Sequence, residues 1–236
     1  TQLNQDSDYN MFTGPNIITD GLVLHLDAAN TKSYPGSGTI WNDLSGNGNN
    51  GTLVNGPAFS SGNNGSIVFD GVNDFTATTS NISFSITEPW TYSIWLSPAA
   101  GMVNAWKNIM GQNADTDCTW MFHPNSLGFY QSFYNSQTYI WFTSIKPGTT
   151  LPINQFSNIV ISCTPVDADR TLFRSYLNGV ARDTTTFTWA PVNRTQVFNR
   201  IGGNGSRYYV GNVATTGIYN RALTAAEVQQ NYNATK

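Results

Sequence analysis

The chain has 236 residues, of which 39% are hydrophobic and only 11% charged, and its formal net charge is −3. This length suits one large all-β domain, because sandwiches and barrels often exceed about 200 residues as single units. Eleven Lys and Arg residues without a basic cluster argue against nucleic-acid binding. No run approaches the roughly 18 apolar residues of a membrane-spanning helix. Cys118 and Cys163 are too few for a disulfide framework, so the sequence leaves their pairing open.

The first twenty residues are polar, contain Gly14-Pro15 and show no sustained hydrophobic period. Such a segment is typical of an arm that becomes ordered only against a partner. We therefore predict an N-terminal arm over residues 1–20 and one folded domain over residues 21–236.

Short apolar runs then alternate with turn clusters, as in a two-sheet sandwich. The leucines of residues 22–26 are predicted to share one face of a strand, as is every second residue from Trp90 to Leu96. Asn178-Gly179 predicts a two-residue hairpin, because a type I′ turn needs positive φ at both central positions. The other predicted strands are residues 66–69, 119–122, 128–133, 138–142, 158–164, 172–177 and 208–219.

Helix is predicted only at the C-terminus. Thr224 and Glu227 have the spacing of a capping box, and Leu223 and Val228 have that of a hydrophobic staple around it. We expect one short helix that packs on the edge of a sheet.

The sequence offers no clear hydrolytic site. A glycosidase needs two carboxyl groups across the scissile bond, but the only glutamates are Glu88 and Glu227, and the second is the helix cap. Asp115 and Asp117 lie in a turn-forming stretch, and neither histidine lies near a Gly-x-Ser-x-Gly motif. We therefore expect that the protein is not an enzyme.

Six segments carry a family resemblance, namely residues 21–28, 41–51, 67–75, 92–95, 176–179 and 217–228. In this order they resemble the laminin-G-like, concanavalin A-like jelly-roll superfamily. The resemblance implies an all-β, two-sheet antiparallel jelly-roll sandwich with one short C-terminal helix. It also implies binding on a concave face or at loop rims, usually without catalysis.

The Asn-rich loop of residues 43–51 and the ending of residues 219–225 are similar to laminin-G-like domains in structural proteins of tailed bacteriophages, especially marine and cyanobacterial ones. This resemblance implies a non-catalytic virion structural or decoration protein of a capsid, tail or fibre. Its partners would be other virion subunits or copies of itself, with cell-surface glycan as a further ligand. The alternative is a secreted or cell-surface carbohydrate-binding module, with or without a calcium requirement, located outside the cell.

The resemblance also implies a calcium (Ca2+) site, since many relatives hold calcium near this loop and the penultimate strand. Asp43, Asn47 and Asn49 offer carboxylate and amide oxygens within one loop. Asn212 stands where relatives often have Asp, which removes a charge. The alternative is that Asp43 and the asparagines only hydrogen-bond their own turns.

A sugar ligand needs aromatic faces beside amide and hydroxyl groups. Tyr130 and Tyr134 point to the same side of one predicted strand, and Tyr139 and Trp141 form the matching pair on the next. We predict ligand binding by these four residues, and core or subunit contacts are the alternative.

Overall fold

A computed structural model describes residues 15–236, except for residues 86, 101–106, 112–118, 123–128, 136–137, 144–150, 169, 189–194 and 206. One α-helix, α1 (Ala225–Thr235), and one short 3₁₀ helix (Gly62–Asn64) lie in this part of the chain, and no helix there is long and apolar enough to cross a membrane. The strands are β1 (Leu22–Asp27), β2 (Ile40–Trp41), β3 (Gly51–Val54), β4 (Ala58–Ser60), β5 (Ser66–Asp70), β6 (Phe75–Ser85), β7 (Trp90–Pro98), β8 (Lys107–Gly111), β9 (Thr119–Phe122), β10 (Phe129–Asn135), β11 (Thr138–Thr143), β12 (Ser157–Pro165), β13 (Arg170–Leu177), β14 (Val180–Thr188), β15 (Thr195–Ile201), β16 (Gly203–Asn204), β17 (Arg207–Tyr208) and β18 (Val210–Tyr219).

These strands form two sheets. The first has eight strands in the order β14-β13-β12-β7-β18-β5-β4, and β1 pairs with the second half of β18. The second has ten strands in the order β11-β10-β9-β8-β15-β6-β3-β2, with β16 and β17 beside β8. All the described pairings are antiparallel except that of β17 with β8. The predicted all-β two-sheet sandwich with one C-terminal helix is confirmed.

The core lies between the two sheets and is rich in aromatic side chains. Trp90, Tyr92, Ile94 and Leu96 on β7 are buried, so the predicted alternation of this strand is confirmed. Phe198 of the opposite sheet reaches them, with its ring centroid 5.5 Å from that of Trp90 and 5.9 Å from that of Tyr92. Aromatic contacts of this kind add to the energy of burial.

Cys163 lies in this core as a free thiol on β12. Burial raises the pKa of the thiol, so it stays protonated and unreactive at neutral pH. Cys118 lies outside the described residues.

Strand β1 departs from the prediction at its first residue. Leu24 and Leu26 are buried in the core, but the register of β1 against β18 shifts between Leu22 and Leu24. Such a bulge inserts one residue into the strand. The residues before the bulge therefore point to the opposite face from the one that regular alternation predicts. Leu22 therefore packs in a second cluster on the outer face, and Val23 packs against the core. The prediction that all three leucines share one face is wrong for Leu22.

Helix α1 covers the outer face of the eight-stranded sheet. Val228 and Leu223 are buried together with Val160, Tyr176 and Tyr219, which come from β12, β13 and β18. None of these three strands is at an edge of the sheet. The helix also contacts the edge strand β14. The prediction that it packs on a sheet edge is therefore confirmed only in part, because its apolar residues also cover inner strands. The helix lies where apolar side chains on the outer face need cover from water.

The start of α1 is fixed by the predicted capping box. Thr224 Oγ1 accepts from Glu227 N at 3.3 Å, and Glu227 Oε2 accepts from Thr224 N at 2.8 Å. Arg221 adds two hydrogen bonds to the Glu227 carboxylate, of 3.0 and 2.7 Å. The Arg221 guanidinium lowers the pKa of Glu227 to about 2, so the cap keeps its charge in mildly acidic solution.

Residues 16–18 of the predicted arm lie against α1 of the same chain. A closed ring of hydrogen bonds holds them: Ile18 N donates to Asn231 Oδ1 (2.7 Å), Asn231 Nδ2 donates to Tyr219 OH (2.9 Å), and Tyr219 OH donates to Ile18 O (3.0 Å). Burial raises the pKa of Tyr219 to about 12, so its hydroxyl remains a donor. Residues 1–14 lie outside the described residues, and the boundary of the arm stays a prediction.

Candidate functional site

The Asn-rich loop between β2 and β3 is organised by the Asp43 carboxylate. Its Oδ1 accepts from His25 N and Ser45 N, both at 2.9 Å. Its Oδ2 accepts from Ser45 Oγ at 2.7 Å and from Asn49 N at 3.0 Å. A carboxylate offers about four acceptor sites. Asp43 is therefore saturated by hydrogen bonds, three from the loop itself and one from His25 N, which ties the loop to β1.

The structure brings three of the four predicted metal ligands together. Asn47 and Asn49 lie beside Asp43, and each donates its side-chain amide to backbone carbonyls of β1, at 3.0 and 2.9 Å. Asn212 is elsewhere, because its Nδ2 donates to Ser66 Oγ on β5 at 3.0 Å. The predicted set of four does not form one cluster.

These contacts do not suit a calcium ion. Calcium takes six to eight oxygen ligands, whereas the one carboxylate of this loop already accepts four hydrogen bonds. Among the described residues, no group of three His, Cys, Asp or Glu side chains could hold a metal. An ion at Asp43 would have to break the hydrogen bonds that shape the loop. Calcium binding stays a prediction.

We expect Asp43→Asn to lower the free energy of unfolding by about 2–3 kcal/mol, because an NH₂ group would replace an oxygen that accepts from N–H donors. Urea unfolding in calcium and in EDTA should give the same loss. Asp70→Asn is the matched control, since the Asp70 carboxylate holds only its own turn through Val72 N and Asn73 N. A wild-type protein that loses stability in EDTA while Asp43→Asn does not would instead assign calcium to the loop.

A cleft of about 520 Å³ opens on the outer face of the eight-stranded sheet, beside the end of α1. Its floor includes a row across three strands: Asp27 of β1 pairs with Thr215 of β18, which pairs with Trp95 of β7. Directly paired residues lie on the same face with their Cβ atoms about 5 Å apart. A carboxylate, a hydroxyl and an indole therefore stand side by side.

A bulge in β18 sets the direction of Thr215. The register against β7 shifts between Val213 and Thr215, and Ala214 O accepts from Ala28 N at 2.9 Å. Residues i and i+2 of a regular strand share a face, yet Val213 is buried in the core while Thr215 lines the cleft. Bulges are common next to binding sites, where they redirect a side chain.

Three other segments wall the cleft: Phe156 before β12, the 3₁₀ turn at residues 62–65, and residues 234–236 at the end of α1. Gly65 has a φ of +126°, and a Cβ at this position would lie 2.7 Å from Ala28 O. Glycine therefore allows the turn to pack directly against the end of β1.

Trp95 connects the cleft to the helix. Its ring stacks on Tyr232, with centroids 5.5 Å apart and planes 15° from parallel. Its Nε1 donates to Thr235 Oγ1 at 2.8 Å. The indole is half-buried and fixed by these contacts, and a fixed side chain loses little entropy when a ligand binds.

The charge of the cleft is close to balanced. Among the described residues that line it, only Asp27 and Lys236 are charged. Asp27 Oδ1 accepts from Ala29 N at 2.9 Å, and Lys236 Nζ lies 5.7 Å from the ring centroid of Tyr232. His25 lies two residues before Asp27. Burial lowers the pKa of His25, and nearby carboxylates only partly oppose this, so the imidazole is neutral at pH 7.

The four aromatics predicted to bind sugar lie in the other sheet. In the β10–β11 hairpin, Tyr134 pairs with Tyr139 and Ser132 pairs with Trp141, while Tyr130 is two residues from Ser132. The backbone register therefore gathers the four predicted residues on one face. Their side chains lie outside the described residues, and their role stays a prediction.

Sequence reasoning missed the cleft residues Asp27 and Trp95. A usable signal was present for Trp95, because it falls on the face of β7 opposite the core residues Tyr92 and Ile94. A tryptophan on the outer face of a strand is either covered by another element or available to a ligand. Asp27 carried no comparable signal.

Comparison with known families gives one match over most of the chain. The sequence profile of the family described as "Concanavalin A-like lectin/glucanases superfamily" matches residues 69–229, about two thirds of the chain. No curated protein sequence matches the chain.

Several solved structures share the fold. The binding domain of Paraclostridial Mosquitocidal Protein 1 has a TM-score of 0.65 at 17% identity, and the match covers 92% of this chain and 52% of that chain. The botulinum neurotoxin type G receptor binding domain has a TM-score of 0.62 at 17% identity, covering 90% and 51%. Domain 4 of AbnA, a GH43 extracellular arabinanase from Geobacillus stearothermophilus in complex with arabinotriose, has a TM-score of 0.62 at 18% identity, covering 89% and 98%. The chain thus spans about half the length of the first two and nearly all of the third.

Proposed function

The chain belongs to the concanavalin A-like lectin/glucanases superfamily, and from that premise we propose that it is a carbohydrate-binding domain without catalytic activity. The observation that carries the proposal is the cleft of about 520 Å³, where Trp95 and Phe156 lie with Asp27 and Thr215. A sugar ring has an apolar CH face and a rim of hydroxyls, so it needs aromatic surface beside polar groups. The volume lies within the usual range for ligand sites, about 300–1,000 Å³.

Two of the similar structures support this direction. One is a domain in complex with arabinotriose, and another is a receptor binding domain of a neurotoxin. Extending ligand recognition to this chain is our proposal, and an extracellular or cell-surface location belongs to it. None of the relatives named above points to a virion, so carbohydrate binding replaces virion assembly as the function that we favour.

The proposal that the domain is not an enzyme rests on its carboxylates. Glu227 is held by the helix cap, and Glu88 Oε2 accepts from Ser85 N at 2.6 Å. Asp27 is the one carboxylate among the described residues that line the cleft, whereas glycoside hydrolysis uses two. Asp115 and Asp117, like His123, lie outside the described residues.

Oligosaccharide binding tests the proposal. The wild-type chain would be titrated by calorimetry with arabinotriose, xylotriose, cellotriose and lactose, and a glycan array would widen the search. We expect binding to at least one probe, and Phe156→Ala should weaken it at least fivefold, about 1 kcal/mol, because the cleft loses an apolar wall.

Ile153→Ala is the matched control for this substitution. Ile153 lies in the same loop and is 36% exposed, but it does not line the cleft. Its affinity should equal that of the wild type. No binding to any glycan on the array would reject the proposed function. An unchanged affinity in Phe156→Ala would show that the binding site lies outside the cleft.

A further inference from the structure

The electrostatics of the cleft point to a particular class of glycan, if the proposed function holds. Asp27 lies in the floor row, and its side chain uses one acceptor site, for Ala29 N at 2.9 Å. A carboxylate has about four such sites. The remaining ones can accept hydroxyl groups, and hydrogen bonds to an ionised acceptor are stronger than neutral ones.

Helix α1 contributes partial negative charge to the cleft, because residues 234–236 at its C-terminal end form one wall. The last carbonyls of a helix lack partners within the helix and carry a partial negative charge. They attract hydroxyl donors and repel anions. The C-cap Lys236 is the one cation among the described lining residues, and it lies near the ring of Tyr232.

An anionic sugar would need a different lining. Carboxylate and sulfate groups are best held by guanidinium groups that donate two parallel hydrogen bonds, or by several N–H donors. No arginine lines the described cleft, and the neighbouring His25 is kept neutral by burial. A sugar carboxylate that docked on the floor row would also lie against the Asp27 carboxylate.

We propose that the cleft selects uncharged glycans and rejects those that carry carboxylate or sulfate groups. In this arrangement Asp27 and Thr215 bind hydroxyls, and Trp95 and Phe156 contact the CH face of the ring. The selectivity follows from the Asp27 carboxylate and from the C-terminal end of α1.

Matched pairs of glycans test this inference. The pairs are lactose with sialyllactose and xylotriose with its glucuronic acid derivative, each titrated into the wild-type chain. We expect the neutral member to bind at least tenfold more tightly at low salt. Tighter binding of an acidic member would overturn the inference and leave the proposed function standing. No binding to any glycan, on the array or in these titrations, would remove both.

Two further measurements isolate the role of charge. Asp27→Asn should reduce the preference for the neutral member at least threefold, while Asp70→Asn should leave it unchanged. The control is matched, because Asp70 Oδ1 also accepts from a backbone N–H two residues on, at 2.8 Å, and does not line the cleft. If Asp27→Asn abolishes all binding, the salt dependence of the wild-type preference is the test instead. The wild-type preference for the neutral member should decrease in 1 M sodium chloride, where the Debye length is about 3 Å. A preference of the same size at low and high salt would overturn the inference.

Discussion

Replacing Phe198 by alanine should lower the free energy of unfolding by about 3–5 kcal/mol, the usual loss when a buried phenylalanine is truncated. The ring is fully buried and lies 5.5 Å from Trp90, 5.9 Å from Tyr92 and 6.2 Å from Phe84, measured between centroids. Phe198 belongs to the ten-stranded sheet, and Trp90 and Tyr92 belong to the eight-stranded sheet. The truncation would therefore open a cavity between the two sheets.

Urea unfolding followed by circular dichroism measures this loss. Phe198→Leu keeps most of the volume and should cost about 1–1.5 kcal/mol. Val72→Ala removes an apolar side chain that is 70% exposed, and its effect should stay within about 0.5 kcal/mol. A loss below about 1 kcal/mol for Phe198→Ala would contradict the packing of Phe198 between the two sheets.

The parts of the fold that depend on local pattern could be predicted from the sequence. Alternation placed the core face of β7, and the Asn178-Gly179 pair, with φ values of 52° and 76°, joins β13 to β14 as expected. The capping box of α1 is also local, since its two residues are three positions apart. Each of these features needs only neighbours along the chain.

Features that depend on distant partners could not be predicted. The bulge that turns Leu22 away from the core arises in the pairing of β1 with β18, nearly 200 residues later. The position of α1 depends on apolar residues such as Val160 and Tyr219, which face outward from strands that already have buried inner faces. The alternation of these strands did not show that apolar residues on the outer face of the sheet would also have to be shielded from water.

The candidate site divides in the same way. The sequence placed Asp43 in a polar loop. It did not show that backbone N–H groups and the Ser45 hydroxyl would occupy all the acceptor sites of the carboxylate. The cleft takes its lining from β1, β7, β18, the turn at residues 62–65, Phe156 before β12 and the end of α1. No motif in the sequence joins these segments. Only the position of Trp95 on the outer face of β7 hinted at them.

Trp95→Ala should weaken glycan binding at least tenfold, about 1.4 kcal/mol or more, because it removes the aromatic surface at the centre of the proposed site. It should also lower the free energy of unfolding by about 2 kcal/mol, since the indole stacks on Tyr232 and donates to Thr235. The two effects must therefore be measured separately, by calorimetric titration well below the unfolding transition and by urea unfolding.

Two milder variants separate binding by Trp95 from its contact with the helix. Trp95→Phe keeps an aromatic ring in the cleft but loses the hydrogen bond of 2.8 Å to Thr235, so it should retain more affinity than Trp95→Ala. Thr235→Val removes the same hydrogen bond and leaves the indole in place, so its loss of stability should be about 1 kcal/mol, with a smaller loss of affinity than in Trp95→Phe. If Trp95→Ala remains folded and binds glycan as the wild type does, the ligand does not use the cleft, and the face carrying Tyr130, Tyr134, Tyr139 and Trp141 becomes the site to test.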